Sequence, residues 1–130
     1  MYRQLTYICG RGRCRVFCRV FNTGAGCIVH LMGGTKPHVG AVALGIPRLS
    51  LKGRGRSATT SVLTVLNHKD DELARPAAAD LAAGYNCPVV VIAGVHIDDA
   101  RPEELALIQT NACRAVRGVL KIGQGRRRGN

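Results

Sequence analysis

The chain is poor in several residue types and patterns, and each shortage excludes a class of protein. It has no tryptophan, three tyrosines and two phenylalanines, so aromatic platforms for stacking nucleic-acid bases are scarce. No apolar run approaches the length of a membrane-spanning helix. The first ten residues are too mixed to form the apolar core of a secretion signal. We therefore expect a cytoplasmic protein that does not engage a membrane.

The six cysteines include no Cys-x-x-Cys pair. Cys14 and Cys18 are four positions apart, and the other four lie scattered in apolar runs: Cys9, Cys27, Cys87 and Cys113. This pattern is typical of reduced, buried thiols in a cytoplasmic protein, and a zinc site is the less favoured alternative.

Acidic residues are missing from the whole first half of the chain. All eight lie between Asp70 and Glu104, whereas residues 1–69 carry eleven lysines and arginines, and the net charge is +11. A basic half of this kind favours an anionic partner: nucleic acid, a phosphorylated cofactor or an acidic protein surface.

Hydrophobic periodicity predicts strands first and helices later. The predicted strands are Tyr2–Cys9, Arg13–Phe21, Cys27–Met32, His38–Ile46, the run that begins at Ser57, and Cys87–Ala93. One helix is expected from a cap at Asp70 to about Gly84, where Pro76 predicts either a kink or a later start near Arg75. A second helix is expected after Asp98, because acidic residues and Pro102 suit a first turn.

These elements predict the α+β class: a mainly antiparallel sheet of about six strands with two helices on one face. We expect a single domain over residues 1–122 and a basic, disordered tail over residues 123–130.

The stretch Ser57–Asp71 is the strongest candidate for a binding site. It places the hydroxyls of Thr59, Thr60 and Ser61 on a strand and ends in a turn with His68 and Lys69. Hydroxyl, imidazole and ammonium groups donate hydrogen bonds to anionic oxygens. The alternative is a threonine-rich strand followed by an ordinary polar helix cap.

His38, His68 and His96 lie at the edges of predicted strands, where side chains from separate strands often meet. His68 lies two residues before Asp70 and His96 two before Asp98, and two such pairs can bind a metal or shuttle protons. The alternative is that each histidine simply bonds to backbone or water.

The basic loop before Ser57 ends in Arg56 and can present N–H groups to a phosphate. The alternative is a flexible basic loop without a ligand.

The second predicted strand alternates Arg13, Arg15 and Arg19 with Phe17 on one face. Positive charge combined with an aromatic ring is typical of single-stranded nucleic-acid binders. A solvated outer face is the favoured alternative, so we consider nucleic acid an unlikely partner.

Three blocks of sequence resemble the LpdD-like family, which accompanies UbiD-type decarboxylases of aromatic acids. They are HVGAVAL (38–44), SATTSVLTVLNHKDDELARPAA (57–78) and VVVIAGVHIDDA (89–100). The family usually has glycine where Asn67 stands. Its members are regarded as chaperones or carriers of prenylated flavin mononucleotide, and the family looks related in fold to small, dimeric proteasome-assembly chaperones.

The resemblance implies a non-catalytic protein that holds or delivers prenylated FMN, or FMN, to a UbiD-type decarboxylase. It also implies a homodimer, which the doubly apolar strand His38–Ile46 favours independently. For such a ligand, the chemistry of the side chains suggests that hydroxyls contact the phosphate or ribityl oxygens, that cations neutralise the phosphate and that histidines border the ring. The expected cofactor-binding residues are His38, Arg56, Ser57, Thr59, Thr60, Ser61, His68, Lys69 and His96.

Three other functions stay open from the sequence. The chain can be an accessory subunit of the decarboxylase without its own ligand, a nucleic-acid binder that uses its arginines, or, least favoured, a metal-dependent enzyme.

Overall fold

The fold was analysed in a computed structural model that describes residues 3–65 and 69–128. The strands are β1 (Arg3–Cys9), β2 (Val16–Asn22), β3 (Cys27–Gly34), β4 (Ala41–Leu49), β5 (Arg56–Thr64) and β6 (Val89–His96). The helices are α1 (Asp71–Tyr85) and α2 (Pro102–Arg128), and a 3-10 turn covers Gly12–Cys14. The predicted α+β class is confirmed.

The strands form one sheet in the order β1-β2-β3-β6-β4-β5. Every neighbouring pair is antiparallel except β3 and β6, which run parallel with Val29 opposite Val91. Because β3 and β6 are parallel, their carboxyl ends meet at the same edge of the sheet, beside Gly34 and His96. We call this edge the carboxyl edge.

The core lies between the sheet and both helices. The strands turn alternate residues inward, including Val16 and Cys18 on β2, Leu31 on β3 and Val91 on β6, and all of these are fully or almost fully buried. Helix α1 packs over β4, β5 and β6, and α2 packs over β1 and β2. Small residues at the contact let α1 approach closely: a Cβ added at Gly45 would lie 2.4 Å from the Ala78 carbonyl oxygen.

Among the described residues, no helix covers the other side of the sheet, which we call the open face. It presents the alternate residues of each strand, such as Ile28, Leu44, Ile92 and Leu63. Among them Ile28, Leu44 and Leu63 are exposed despite their size. Within the described part of the chain, no helix combines the length and apolar character needed to cross a bilayer.

Several element bounds differ from the sequence prediction. Strand β2 begins at Val16 rather than Arg13, because Gly12–Cys14 forms a 3-10 turn. Helix α1 runs unbroken from Asp71 with Pro76 inside it, so the later start near Arg75 was wrong. Helix α2 continues to Arg128, so residues 123–128 are helical instead of forming the disordered tail that we expected.

Candidate functional site

The carboxyl edge gathers the polar side chains that the fold brings together from distant parts of the chain. The segment after β3, the segment after β6 and the start of α1 all meet there. The carboxyl ends of parallel strands are a frequent location for ligand sites, because the connections diverge and leave a crevice.

Asp70 is the buried anchor of this edge. Its Oδ2 lies 3.0 Å from Nε2 of His38, and its Oδ1 accepts a hydrogen bond of 2.9 Å from the backbone N–H of Val95. Asp70 occupies the N-cap position of α1 as predicted, yet its side chain does not cap the helix. The carboxylate instead ties the start of α1 to β6 and to the segment that precedes β4.

His38 is held at both ring nitrogens. Nδ1 lies 2.9 Å from the carbonyl oxygen of Lys36, an acceptor, so this nitrogen must donate. Nε2 faces the Asp70 carboxylate, a second acceptor. Because both ring nitrogens are hydrogen-bonded, His38 holds the segment around it in place. Neither nitrogen is available as a base or as a metal ligand.

Two glycines make the close packing at this edge possible. A Cβ added at Gly94 would lie 1.4 Å from the His38 carbonyl oxygen, and one at Gly40 would lie 1.8 Å from Oδ2 of Asp70. The His38 segment therefore crosses β6 where β6 has no side chain, and any larger residue would push it away.

His96 ends β6 and is half exposed. Its Nε2 lies 3.1 Å from Oδ1 of Asp98, which accepts, so Nε2 carries the hydrogen. Within residues 3–65 and 69–128, no partner reaches its Nδ1. His96 therefore offers one imidazole nitrogen to a ligand, and its ring centroid lies 6.3 Å from that of His38.

Asp98 links His96 to the segment after β3. Nζ of Lys36 lies 3.1 Å from its Oδ1, and its own backbone N–H donates to Oγ1 of Thr35 over 3.0 Å. The hydrogen bond from Lys36, with smaller contributions from His96 and Thr35, holds the pKa of the Asp98 carboxyl below its ordinary value. Asp98 thus stays ionised in moderate acid and keeps Lys36 beside His96.

Lys36 and Thr35 were missed as site residues by the sequence analysis, because the segment Gly33–Pro37 reads only as a strand breaker. Asp98 was noted as a neighbour of His96 and as part of a helix start, but its contact with Lys36 and Thr35 was not predicted. Their meeting depends on the parallel pairing of β3 with β6, which joins residues about sixty positions apart in the chain. No local pattern reveals that pairing.

The remaining predicted site residues do not all gather at this edge. Lys69 adjoins Asp70 and is exposed, whereas His68 lies outside the described residues. Thr59 and Ser61 point to the open face, and Thr60 points to the helix side, because side chains alternate along β5. Thr59 accepts a hydrogen bond of 3.1 Å from Arg48, so the three hydroxyls do not form one cluster.

Arg56 and Ser57 lie at the opposite end of β5, about 23 Å from the carboxyl edge at the ordinary rise of a strand. Arg56 donates from Nε to the carbonyl oxygen of Ala83 over 2.9 Å, at the C-terminal end of α1. A role for these two residues at the same ligand as His38 and His96 stays a prediction, and the distance disfavours it.

The arginine-rich face predicted on β2 is divided. Arg13 turns toward α2, where its Nε lies 2.8 Å from Oε2 of Glu104, and it also donates to the carbonyl oxygen of Asp98. Arg19 stays on the open face, with its guanidinium 5.9 Å from the centre of the Phe17 ring. The arginines therefore do not form one continuous strip for a nucleic-acid strand.

Comparison with protein families shows to which family this chain belongs. The family model described as a prenylated flavin chaperone LpdD-like domain matches residues 10–123. The chain belongs to this family. No curated protein matches the chain.

The LpdD-like match includes every described residue of the carboxyl edge, from Lys36 through Asp98. It leaves out only residues 1–9 and 124–130. Among the parts of the chain that the structure describes, no group of three or more His, Cys, Asp or Glu side chains is arranged to hold a metal ion.

A solved structure shows the same fold. The chain resembles one from the crystal structure of a novel chaperone complex for yeast 20S proteasome assembly, with a TM-score of 0.59. The alignment covers 95% of this chain and 96% of that chain at 12% sequence identity. At this identity the likeness concerns the fold alone, and it agrees with the fold relation expected from the sequence.

Proposed function

We propose that this LpdD-like protein binds FMN or prenylated FMN at the carboxyl edge and delivers it to a UbiD-type decarboxylase. The proposal rests on His96, which has one ring nitrogen available at the carboxyl edge, next to an apolar face of the sheet. The ammonium of Lys36 lies beside it. This combination suits a ligand with a planar apolar ring and an anionic group.

The donors at the edge fit the polar parts of a flavin nucleotide. Lys36 and Lys69 provide charge for a phosphate dianion. Nδ1 of a neutral His96 accepts a hydrogen bond, which the imide N–H of a flavin ring or a ribityl hydroxyl can donate.

Apolar side chains that can contact the ring of the ligand lie beside these donors. Strand alternation places His96 on the same face of β6 as Ile92 and Gly94. Met32 lies opposite Gly94 on β3 and is partly exposed. The His38 segment covers Gly94 itself, so a prenylated ring contacts the partly exposed Met32 and Ile92 beside it, while its polar end stays near Lys36.

A carrier role accounts for the edge better than catalysis does. His38 is committed at both nitrogens, so its function is to fix the segment that lies against His96. Lys36, Lys69 and His96 are all exposed, so a ligand held there stays reachable by a partner enzyme. We further propose that the protein acts in the cytoplasm, where its six cysteines stay reduced, and as a homodimer.

An anaerobic titration of the purified protein with FMN, and with reduced prenylated FMN, tests the proposal. Each of His96→Ala and Lys36→Ala should weaken binding by about tenfold or more, since each removes a hydrogen bond to a polar or charged ligand group. The matched control is Lys121→Ala, because Lys121 is exposed on α2 at the far side of the sheet. Flavin absorbance and fluorescence report the affinity.

The proposal fails if the wild-type protein neither co-purifies with a flavin nor binds one, or if Lys121→Ala weakens binding as much as Lys36→Ala does. Protein that binds a decarboxylase but no flavin would instead identify an accessory subunit. Delivery is tested separately by adding the loaded protein to a decarboxylase that lacks its cofactor, which should gain activity.

A further inference from the structure

We propose that this protein has a second binding site, for a small organic anion with a short apolar tail. The site is a pocket of about 90 Å³ at the edge of the sheet where β3 and β6 begin, opposite the carboxyl edge. We call it the basal pocket, and the side chains that carry the argument are Arg3, Leu5, Val20, Cys27, Tyr85 and Arg126.

Strands β1, β2 and β3 form the floor of the basal pocket. Leu5 lies opposite Val20 on the neighbouring strand, and Cys27 lies opposite Asn22, which follows Val20 by two residues. Val20 and Cys27 are buried, so the strands turn this set of side chains toward the helices. The pocket therefore has an apolar base on the helix side of the sheet.

The two helices meet at the wall of the pocket. Tyr85 is the last residue of α1, and its hydroxyl donates to the carbonyl oxygen of Val119 on α2. A Cβ added at Gly123 would lie 2.6 Å from Cε1 of the Tyr85 ring, so α2 passes this close only because it has glycine there. The ring of Tyr85 thus provides an apolar wall that is fixed in position.

Two guanidinium groups lie at the rim of the pocket. Arg3 is on the same face of β1 as Leu5, two residues away, and Arg126 follows Gly123 by three residues on the same side of α2. Both arginines are exposed, and among residues 3–65 and 69–128 no carboxylate pairs with either of them. Two like charges beside one small pocket repel each other, and an anion between them removes that repulsion. The N–H groups of arginine form a fork that matches carboxylate and phosphate oxygens.

The end of α1 lies beside the pocket, and the last carbonyl groups of a helix carry partial negative charge that disfavours an anion. Two of these carbonyl groups already have donors. Arg56 donates from Nε to the carbonyl oxygen of Ala83 over 2.9 Å. Gln124 donates from Nε2 to the carbonyl oxygen of Gly84 over 3.4 Å. These bonds reduce the negative potential at the end of α1, which presents the ring of Tyr85 to the pocket.

The volume of the pocket limits the ligand. An apolar cavity of about 150 Å³ accommodates benzene, so the basal pocket of about 90 Å³ accommodates a tail of roughly four carbon atoms. The charged head of such a ligand lies at the rim between the guanidinium groups. Carboxylates and phosphate monoesters are the two kinds of head that suit this position.

The basal pocket is separate from the proposed flavin site. It lies about 23 Å from the carboxyl edge at the ordinary rise of a strand, and the fused rings of a flavin exceed its volume. Arg3, Leu5 and Arg126 all lie outside residues 10–123, the part of the chain that the LpdD-like model matches. The pocket is therefore a feature of this chain that the family does not imply.

Calorimetric titration of the full chain with butyl phosphate and with valerate tests the site, because each anion joins a butyl tail to one of the two heads. We expect a dissociation constant of about 1 mM or lower, which is within the usual limit for ligands of this size. Inorganic phosphate lacks the tail and butan-1-ol lacks the charge, so each should bind at least about tenfold more weakly.

Arg3→Ala and Arg126→Ala should each weaken the binding of both anions by about tenfold, since each removes charge-assisted hydrogen bonds. Both side chains are exposed, so the variants should keep the wild-type fold, as circular dichroism will check. The matched control is Arg114→Ala, because Arg114 is an exposed arginine of α2 that does not line the pocket.

The inference is overturned if neither anion binds at concentrations up to about 10 mM. It is also overturned if inorganic phosphate or butan-1-ol binds as tightly as butyl phosphate, or if Arg114→Ala weakens binding as much as Arg126→Ala does. Binding with the expected dependence on tail and charge supports the site, and the ratio of the two affinities identifies the preferred head. A flavin titration separates the two proposals: Arg126→Ala should leave flavin affinity unchanged, and Lys36→Ala should leave the affinity for butyl phosphate unchanged.

Discussion

At the scale of single residues, Asp70 holds the candidate site together. One carboxylate oxygen is bonded to His38 and the other to the backbone N–H of Val95, so a single side chain ties α1 to β6 and to the segment before β4. Asp70 is almost fully buried, and its loss would remove one hydrogen bond from each of these two partners. Asp70 therefore has a structural role, even though it lies within the candidate site.

Replacing Asp70 by Ala should lower the free energy of unfolding by about 1–3 kcal/mol, the usual cost of leaving a buried donor unpaired. The loss should be smaller in Asp70→Asn, because the amide oxygen can still accept the Val95 N–H. Urea unfolding followed by circular dichroism measures both variants. Flavin binding should weaken in Asp70→Ala as well, since His38 loses its orientation.

Asp99→Asn is the control for this pair of variants. Asp99 is exposed and has a φ of 49°, a conformation that asparagine tolerates well. Its stability should stay within about 0.5 kcal/mol of the wild type. Equal losses for Asp70→Ala and Asp99→Asn would show that the Asp70 bonds contribute nothing specific.

At the scale of the elements, the type of each helix and strand could be predicted from periodicity, whereas the grouping of side chains could not. Alternation along the second predicted strand correctly placed Phe17 and Arg19 on one face of β2, opposite the buried Val16 and Cys18. The same period of two, applied to β5, would have placed Thr60 on the opposite face from Thr59 and Ser61. We grouped the three hydroxyls by composition, and the pleat of the strand separates them.

Helix α1 contains Pro76 in its interior, where proline lacks the backbone donor and its ring crowds the preceding turn. The side chain is exposed, so replacing it by Ala removes no core contact. Pro76→Ala should therefore raise the free energy of unfolding by about 1–2 kcal/mol, after allowing for the greater freedom of the unfolded chain. Urea unfolding measures the change.

The control for this variant is Ala79→Gly, three residues further along α1 and partly exposed, which should lower the stability by about 1 kcal/mol. A Pro76→Ala protein that is less stable than the wild type would contradict this prediction. It would mean that α1 packs on β4 and β5 only with the backbone shape that Pro76 gives to this turn.

At the scale of the whole molecule, the parallel pairing of β3 with β6 was not predicted from the sequence. Most neighbouring strands follow each other along the chain and pair as antiparallel hairpins, so the sheet could be predicted in outline. The insertion of β6 between β3 and β4 depends on the crossover through α1, and its register is set by packing of the buried side chains. That insertion brings Lys36 to Asp98 and creates the carboxyl edge.

The same layered architecture determines which cysteines can react. Cys18 lies under α2 in the core, where burial raises the pKa of its thiol from 9.0 to about 12. A rise of this size reduces the reactive thiolate about a thousandfold at neutral pH, and the surrounding atoms exclude reagents as well. Cys113 is exposed on α2.

Iodoacetamide should therefore alkylate Cys113 promptly in the native protein, whereas Cys18 should react only when the sheet and α2 separate. Because that separation amounts to unfolding, the labelling of Cys18 should be slower by a factor on the order of a thousand or more. Peptide mass spectrometry over time measures both rates. In Cys113→Ser the fast reaction at this position should vanish while the rate at Cys18 stays the same, and urea should bring Cys18 to the rate of a free thiol. Rapid labelling of Cys18 without denaturant would contradict the packing of α2 on β2.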